Sequence, residues 1–458
     1  MSLADRVLVL RDGAIALDCP CLCRARVAKA EQRPLCKKPS SSKSSRKAAR
    51  SSDPAYFLRV PVRSRNPNKS GRTARVLTTK QEGEIMANYR VISSDNHVFE
   101  PPDLWTSRAK PAFKDRVPQL VREYDGDWWF CDGHRCVGMA GGAQTGMRFE
   151  APEQLVRTTT FDNIRLGGYI PEEHLKDMDA DGVDVSIVYP TVGLLLYSVP
   201  DTALLSEIFR AYNDWLAEFC GAVPKRLKGI AMINVDDVEE GVSELQRCAR
   251  MGLAGGMVTV YPREGRGYDN PMYEPLWAAA QDLDVPLGMH IATNRPGPGQ
   301  DFSLEDRNRV RNSFLSNADH WVRMSLADMI FSGVFERYPK LQIGTVEHEL
   351  SWIPHFLDRI DYTYTQRVQE ERYRFKEAML PSDYFHRNVF AGFQEDVMGI
   401  RDRHIIGVDN LLWGSDYPHV ESTFPRTRQI IEEILTDCTE EEKAKIAGGN
   451  AARIYHLN

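Results

Sequence analysis

The chain has 458 residues, 42% of them hydrophobic and 27% charged, which is the composition of a soluble globular protein. No stretch approaches the roughly 18 consecutive apolar residues of a membrane-spanning helix, which excludes that class. The net charge of -6 is unevenly distributed, with +12 on residues 1–85 and -18 on residues 86–458, and an acidic body does not indicate a nucleic-acid partner.

Residues 1–85 are predicted to be a disordered basic extension outside the fold. They include "KKPSSSKSSRKAARSS" and lack a regular pattern of apolar residues. A binding arm is one interpretation; we favour an upstream start or a fused remnant, with Met86 as the natural beginning. The first apolar run is too short for a signal peptide, so we expect a cytoplasmic protein with reduced cysteines. The spacing of Cys19, Cys21 and Cys23 matches no usual zinc pattern.

From residue 86 onward, short apolar runs alternate with amphipathic segments, which predicts β/α units around a parallel sheet. The eight predicted strands are 89–95, 184–190, 229–235, 255–261, 285–290, 341–347, 388–393 and 411–416. Helical segments fall between them, and the one from Leu204 to Phe219 repeats apolar residues at three- and four-residue steps. The count and order predict an α/β fold of the (β/α)₈ TIM-barrel class over residues 86–458.

Two long connections follow predicted strands at the face where barrel active sites form. Residues 107–183 separate the first two strands, and two Asp-Gly turn signals in "REYDGDWWFCDGHRCVGM" predict a small hairpin insertion there. The other connection begins after His290 and contains "RPGPGQ". In the hairpin, Cys131, His134 and Cys136 lack a fourth ligand nearby, so we interpret them as ordinary turn residues rather than a zinc site.

Carboxylate and imidazole groups stand at the ends of several predicted strands. Asp95 and His97 close the first strand, two residues apart, so their side chains point the same way. His290 closes the fifth strand, His348 follows the sixth, and Asp416 closes the eighth. One histidine at a strand end is usually a hydrogen-bonded loop residue, but five such groups on one barrel rim predict a metal site. Imidazole and carboxylate together suit Zn²⁺, Mn²⁺ or Fe²⁺.

Several longer segments resemble a known family. "DMDADGVDVSIVYPT", "GMHIAT", "WGSDYPHVES" and "GNAARIYHLN" resemble the amidohydrolase superfamily, specifically its amidohydrolase-related branch. That branch includes aminocarboxymuconate-semialdehyde decarboxylase and resorcylate decarboxylases. The resemblance covers about residues 86–458 and implies a metal-dependent TIM-barrel enzyme.

The resemblance implies roles for the polar residues at the strand ends. Asp95 and His97 stand where the family has its strand-one His-x-His ligands, with an acid first as in related decarboxylases. His290 would be the strand-five ligand and Asp416 the strand-eight ligand. His348, in "VEHELSWIP", registers with a strand-six histidine that acts in proton transfer, so His348 and Asp416 are the predicted catalytic residues.

One divalent ion is expected, with Zn²⁺ favoured over Mn²⁺ and Fe²⁺. Binuclear relatives bridge two metals with a carbamylated lysine or an acid at the end of strand four, where this chain has Tyr261 and Pro262. Arg295, just beyond "HIATN", is a candidate clamp for a substrate carboxylate, or else a solvated loop arginine. Trp105 and Trp352 are candidate pocket walls, although such aromatics more often pack in the core.

Two chemistries fit this set of residues. We favour a non-oxidative decarboxylase (a carboxy-lyase) of an aromatic or unsaturated carboxylic acid, because His348 is present and a second metal site is not. The alternative is a hydrolase of a C–N, ester or C–C bond that uses metal-activated water; a metal-binding barrel without catalysis is the remote third. The expected partner is a small carboxylic acid, without nucleic acid or membrane, and a homodimer is the assembly considered.

Overall fold

The computed structural model describes residues 8–11, 14–17, 89–139, 144–295, 313, 316–367, 374–376 and 378–457. The chain divides into two units, Met1–Gly83 and Glu84–Asn458. In the first unit, the strands Leu8–Arg11 and Ala14–Leu17 pair antiparallel. Both strands lie within the extension that the sequence predicts to be disordered, and that disorder stays a prediction. The rest of the predicted extension, with its three cysteines, lies outside the described residues.

Eight parallel strands of the second unit form one sheet, and their order in the sheet is their order in the chain. They are Ile92–Val98, Val185–Pro190, Leu227–Met232, Gly255–Val258, Leu287–His290, Ile343–Val346, Val389–Phe393 and Leu411–Trp413. We number them barrel strands one to eight. Nearly every strand residue is buried, as expected for parallel strands covered on both faces.

Barrel strands one and eight meet at their carboxyl ends. The Asp416 amide donates a hydrogen bond to the Asp95 carbonyl (2.8 Å), and the His97 amide donates to the Tyr417 carbonyl (2.6 Å). These bonds join the edges of the sheet just beyond the last residue of strand eight. The prediction of a (β/α)₈ barrel is therefore confirmed.

Helices return the chain between the barrel strands. The α-helices are Leu104–Arg108, Met147–Glu150, Pro171–Asp181, Val192–Leu196, Thr202–Gly221, Val238–Arg250, Glu274–Leu283, His320–Phe331, Val334–Arg337, Ile353–Gln366, Pro381–Asn388, Val397–Arg401, Arg403–Ile406, Thr427–Ile434, Glu440–Ala444 and Asn450–Ile454. The 3₁₀ helices are Pro111–Phe113, Pro152–Gln154, Phe161–Asn163, Leu166–Gly168, Pro271–Tyr273 and Val408–Asn410, and Lys445–Gly449 is a π-helix. Among these described helices, none has the length and apolar character to cross a bilayer.

The insertion between barrel strands one and two contains a three-stranded antiparallel sheet, which extends the predicted hairpin by one strand. Its strands are Gln119–Glu123, Gly126–Cys131 and His134–Gly138. Trp129 of this sheet packs edge-to-face on Trp105, with ring centroids 5.1 Å apart. Both indoles are fully buried, so Trp105 is a core residue and not a pocket wall. Cys131 and Cys136 are buried thiols, and no metal-ligand group among the described residues includes them.

Candidate metal centre

An irregular register in barrel strand one sets the direction of Asp95 and His97. The strand runs on through Val98, and its pairing with strand two shifts between Ser93 and Asn96. The Ser93 hydroxyl donates to the Asn96 side-chain oxygen (2.7 Å) across this irregularity. Such bulges re-aim side chains next to functional sites. Asp95 and His97 are both buried here, at 5% and 0% exposure.

The four side chains predicted as metal ligands lie together at the carboxyl end of the barrel. His97 Nε2 is 3.2 Å from Asp95 Oδ1 and 3.3 Å from Asp416 Oδ1. His290 Nε2 is 3.4 Å from the same oxygen of Asp95. Two imidazoles and two carboxylates from strands one, five and eight therefore face one another.

Three of these ligand atoms are buried without a hydrogen-bond partner among the described residues: Asp95 Oδ1, His97 Nε2 and His290 Nε2. The opposite ring nitrogen of each histidine is engaged, because His97 Nδ1 is 2.8 Å from the Pro190 carbonyl and His290 Nδ1 is 3.1 Å from the Ile291 carbonyl. Carbonyls only accept, so each Nδ1 carries the proton and each Nε2 has a free lone pair. Buried polar atoms without partners are costly unless a ligand engages them. The donors fit a divalent cation.

Glu347 is a fifth acidic or imidazole group at this centre, and the sequence did not single it out. Its Oε2 is 3.6 Å from His290 Nε2, and it forms with Asp95, His97 and His290 a group whose ligand atoms lie within 4.8 Å of one another. Glu347 and Asp416 have φ of 59° and 62°, the left-handed region that non-glycine residues rarely adopt. Such strain is concentrated at functional sites. The one signal in the sequence was an acid directly before His348.

His419 connects Asp416 to the loop after barrel strand two. Its Nδ1 is 2.7 Å from Asp416 Oδ1, and its Nε2 is 2.9 Å from the Thr191 hydroxyl. The ring stacks on His97 with centroids 4.1 Å apart. His97, Asp416 and His419 form a second group with metal-ligand spacing.

Burial and the neighbouring charges shift the protonation of these groups in different directions. Burial raises the pKa of Asp95, but the attraction of His290 and His97 outweighs it and holds that pKa below its usual range. Burial, reinforced by the Asp95 charge, raises the pKa of Asp416. Burial, together with repulsion from the His290 imidazole, lowers the pKa of His348 to about 3. The His348 imidazole is therefore neutral at neutral pH.

His348 lines an open cavity together with Glu347 of the metal centre. Its Nδ1 is 3.0 Å from the Ala318 carbonyl, while Nε2 is buried and has no hydrogen-bond partner among the described residues. The cavity, of about 570 Å³, is lined by Ser316, Ala318, Asp319, Glu347, His348, Glu349, Ser351, Trp352, Glu395 and Asp396. Trp352 is held in the lining because its indole N–H donates to the His348 and Glu349 carbonyls, each at 3.0 Å. His348 and Trp352 therefore both belong to the wall of this cavity.

Arg295, the candidate anion clamp, is neither solvated nor free, because its guanidinium is engaged inside the protein. Its side chain is only 1% exposed and forms an ion pair with Asp236 at 2.5 Å. The same guanidinium donates to the Tyr197 and Val199 carbonyls. With its donors engaged inside the protein, Arg295 stabilises the loops after barrel strands two, three and five.

The sequence and the fold of this chain are similar to those of several known enzymes. The amidohydrolase family model matches residues 164–457. γ-Resorcylate decarboxylase of Rhizobium sp. (strain MTP-10005) is 28% identical over 317 residues, covering 63% of this chain and 88% of that protein. Dihydroxybenzoic acid decarboxylase of Polaromonas sp. JS666, solved with manganese and the inhibitor 2-nitroresorcinol, matches with a TM-score of 0.56 and 21% identity over 81% of this chain and 98% of that one. 5-Carboxyvanillate decarboxylase of Sphingomonas paucimobilis matches with a TM-score of 0.56 and 22% identity, and the match covers 81% of this chain and 100% of that one.

Proposed function

Because this chain belongs to the amidohydrolase family, we propose that it is a metal-dependent, non-oxidative decarboxylase of a hydroxylated aromatic carboxylic acid. The observation that carries the proposal is the buried cluster of Asp95, His97, His290 and Asp416, with the free Nε2 of His348 beside it. The γ-resorcylate decarboxylase, matched over most of its length, supports the reaction class. A cytoplasmic location stays a prediction from the sequence.

The residues that would hold the metal are Asp95, His97 and His290, which share one group of ligand atoms with Glu347, and Asp416, which joins this centre through its contact with His97. When bound, a divalent ion supplies positive charge that draws in and polarises the carboxylate and an adjacent hydroxyl of the substrate. One ion is proposed, because no residue of barrel strand four joins a ligand group among the described residues. The sequence favoured Zn²⁺; two carboxylates in the donor set also suit Mn²⁺, the ion in the Polaromonas enzyme.

The chain's own residues then have separate tasks. Asp416 borders the position of the ion, 3.3 Å from His97 Nε2, and delivers a proton to the ring carbon bearing the carboxylate. The bond from that carbon to the carboxylate breaks, its electron pair returns to the ring, and CO₂ leaves. The neutral His348 offers Nε2 to a polar group of the substrate and moves a proton at that atom. The net reaction exchanges one carboxylate for one hydrogen.

The cavity beside His348 favours a substrate with a single carboxylate. Five of its lining residues are acidic, and none of the described lining residues is lysine or arginine. Asp319 and Glu395 already form ion pairs with arginines outside the lining, Arg323 and Arg148, so these arginines are engaged and a second carboxylate would lack a cation in the described lining. The hydroxyl groups of a phenolic acid can instead donate hydrogen bonds to these side chains.

We therefore expect the protein loaded with Mn²⁺ or Zn²⁺ to release CO₂ from 2,6-dihydroxybenzoate. For the diacid 5-carboxyvanillate we expect kcat/KM to be lower by at least about tenfold, because leaving its second carboxylate desolvated without a cation costs more than about 1.4 kcal/mol. Product formation is measured by chromatography together with CO₂ release. A preference for the diacid contradicts the monoacid assignment, and turnover of esters or amides without CO₂ identifies a hydrolase.

A further inference from the structure

Glu100 is a buried acid close to the metal centre that the proposed reaction does not use. It lies three residues after His97, and its side chain is fully buried. One carboxylate oxygen accepts from the Val192 amide at 3.0 Å and the other from the Gly193 amide at 2.9 Å. Among the described residues, no lysine or arginine forms an ion pair with it. Burying a carboxylate without a counter-charge is costly.

The backbone that Glu100 grips leads directly to two residues that touch the candidate ligands. The Pro190 carbonyl accepts the hydrogen bond from His97 Nδ1 at 2.8 Å. The Thr191 hydroxyl is 2.9 Å from His419 Nε2, and the other nitrogen of His419 is 2.7 Å from Asp416 Oδ1. The segment 190–193 thus supports ligands from both barrel strand one and barrel strand eight.

This segment is tightly confined. A Cβ at Gly193 would lie 2.6 Å from Pro190 Cβ and 2.8 Å from the Met232 sulfur, so a larger residue does not fit without movement. The two amides held by Glu100 fix the other side of the turn. Glu100 therefore sets where the Pro190 carbonyl and the Thr191 hydroxyl stand.

We infer that Glu100 is a positioning residue for the metal centre and acts through residues 190–193. It orients His97 through the Pro190 carbonyl, and it orients Asp416 through Thr191 and His419. The inference rests on the proposed metal site. Groups that hydrogen-bond to a ligand's other nitrogen fix its tautomer and ring direction, and their loss typically weakens metal affinity about 10- to 100-fold. The competing interpretation is that Glu100 merely stabilises the start of the helix Val192–Leu196.

The test compares Glu100→Gln with Glu207→Gln by titrating Mn²⁺ into the metal-depleted full chain and by thermal melting. Glu207 is a suitable control because it is also buried and accepts from a backbone amide, that of Lys110 at 2.7 Å. In Glu100→Gln, an amide group replaces one acceptor oxygen and confronts a backbone N–H. We expect the Kd for Mn²⁺ to rise at least about tenfold, and we expect Glu207→Gln to leave it within about twofold of the wild-type value.

Glu100→Asp keeps the charge but is one methylene shorter, and we expect an intermediate Kd; this variant also serves if Glu100→Gln fails to fold. Unchanged Mn²⁺ affinity in the Glu100 variants, with lowered melting temperatures, overturns the inference and leaves the proposed function standing. If the wild-type chain binds no divalent ion, both fall. If the wild-type chain binds Mn²⁺ but releases no CO₂ from any acid, the proposed function is wrong. A raised Kd for Mn²⁺ in Glu100→Gln would still support the positioning role in that case.

Discussion

Replacement of His290 by alanine is expected to abolish metal binding and to lower the rate of decarboxylation at least about 10³-fold. The ion's contribution to charge stabilisation is worth several kcal/mol, and each 1.4 kcal/mol corresponds to about tenfold in rate. His290 Nε2 is buried, lacks a described hydrogen-bond partner and faces Asp95. Without it, His97 is left beside the carboxylates of Asp95, Asp416 and Glu347, a set with one imidazole fewer. Metal content after gel filtration and initial rates of CO₂ release measure the effect.

The matched control for His290→Ala is His404→Ala. His404 is 67% exposed, and its Nε2 is 3.5 Å from Glu442, so it shares the residue type but not the site. Metal content and rate should both stay at the wild-type level in that variant. Full metal occupancy in His290→Ala would contradict the assignment of His290, the residue from barrel strand five, as a metal ligand.

His348→Ala is expected to keep the metal and to lose about 10²- to 10⁴-fold in kcat, the range for removal of a general acid or base. His348 lines the cavity and belongs to neither group of ligand atoms among the described residues. Its free Nε2 is the atom that would exchange a proton with the substrate. Steady-state kinetics with the preferred acid, together with metal analysis, separate the two effects.

His348→Gln refines this test. Glutamine retains hydrogen-bonding capacity at the cavity wall but cannot transfer a proton near neutral pH. We expect KM close to the wild-type value and kcat close to that of His348→Ala. A kcat near the wild-type value in either variant contradicts a role in proton transfer and points to Asp416 as the sole proton carrier.

The sequence was sufficient to predict the barrel and four of the residues at its mouth. Buried parallel strands are continuous apolar runs, so the point at which each run turns polar marks the carboxyl end. His290 and Asp416 stand at or just beyond such points, whereas Asp95 and His97 lie within strand one, close to its carboxyl end. The strand-one boundary was wrong by three residues, because strand one continues through its bulge to Val98 and meets strand eight there.

Glu347 and Arg295 show what a local pattern cannot decide. Glu347 continues an apolar run, and only its left-handed backbone conformation turns it toward His290. Arg295 occupies the position expected of a clamp, but its partner Asp236 lies 59 residues earlier in the chain. The placement of both residues depends on packing between segments that are distant in the chain. The periodicity and spacing of residues in the sequence give no information about that packing.

The most direct test is an anomalous-difference map from crystals of the full chain grown with Mn²⁺. We expect one peak per chain at the carboxyl end of the barrel, bonded to Nε2 of His97 and of His290 and to carboxylate oxygens of Asp95 and Asp416. A map with no peak among these side chains, or with the ion held by other residues, contradicts the proposed metal centre and the decarboxylase built on it.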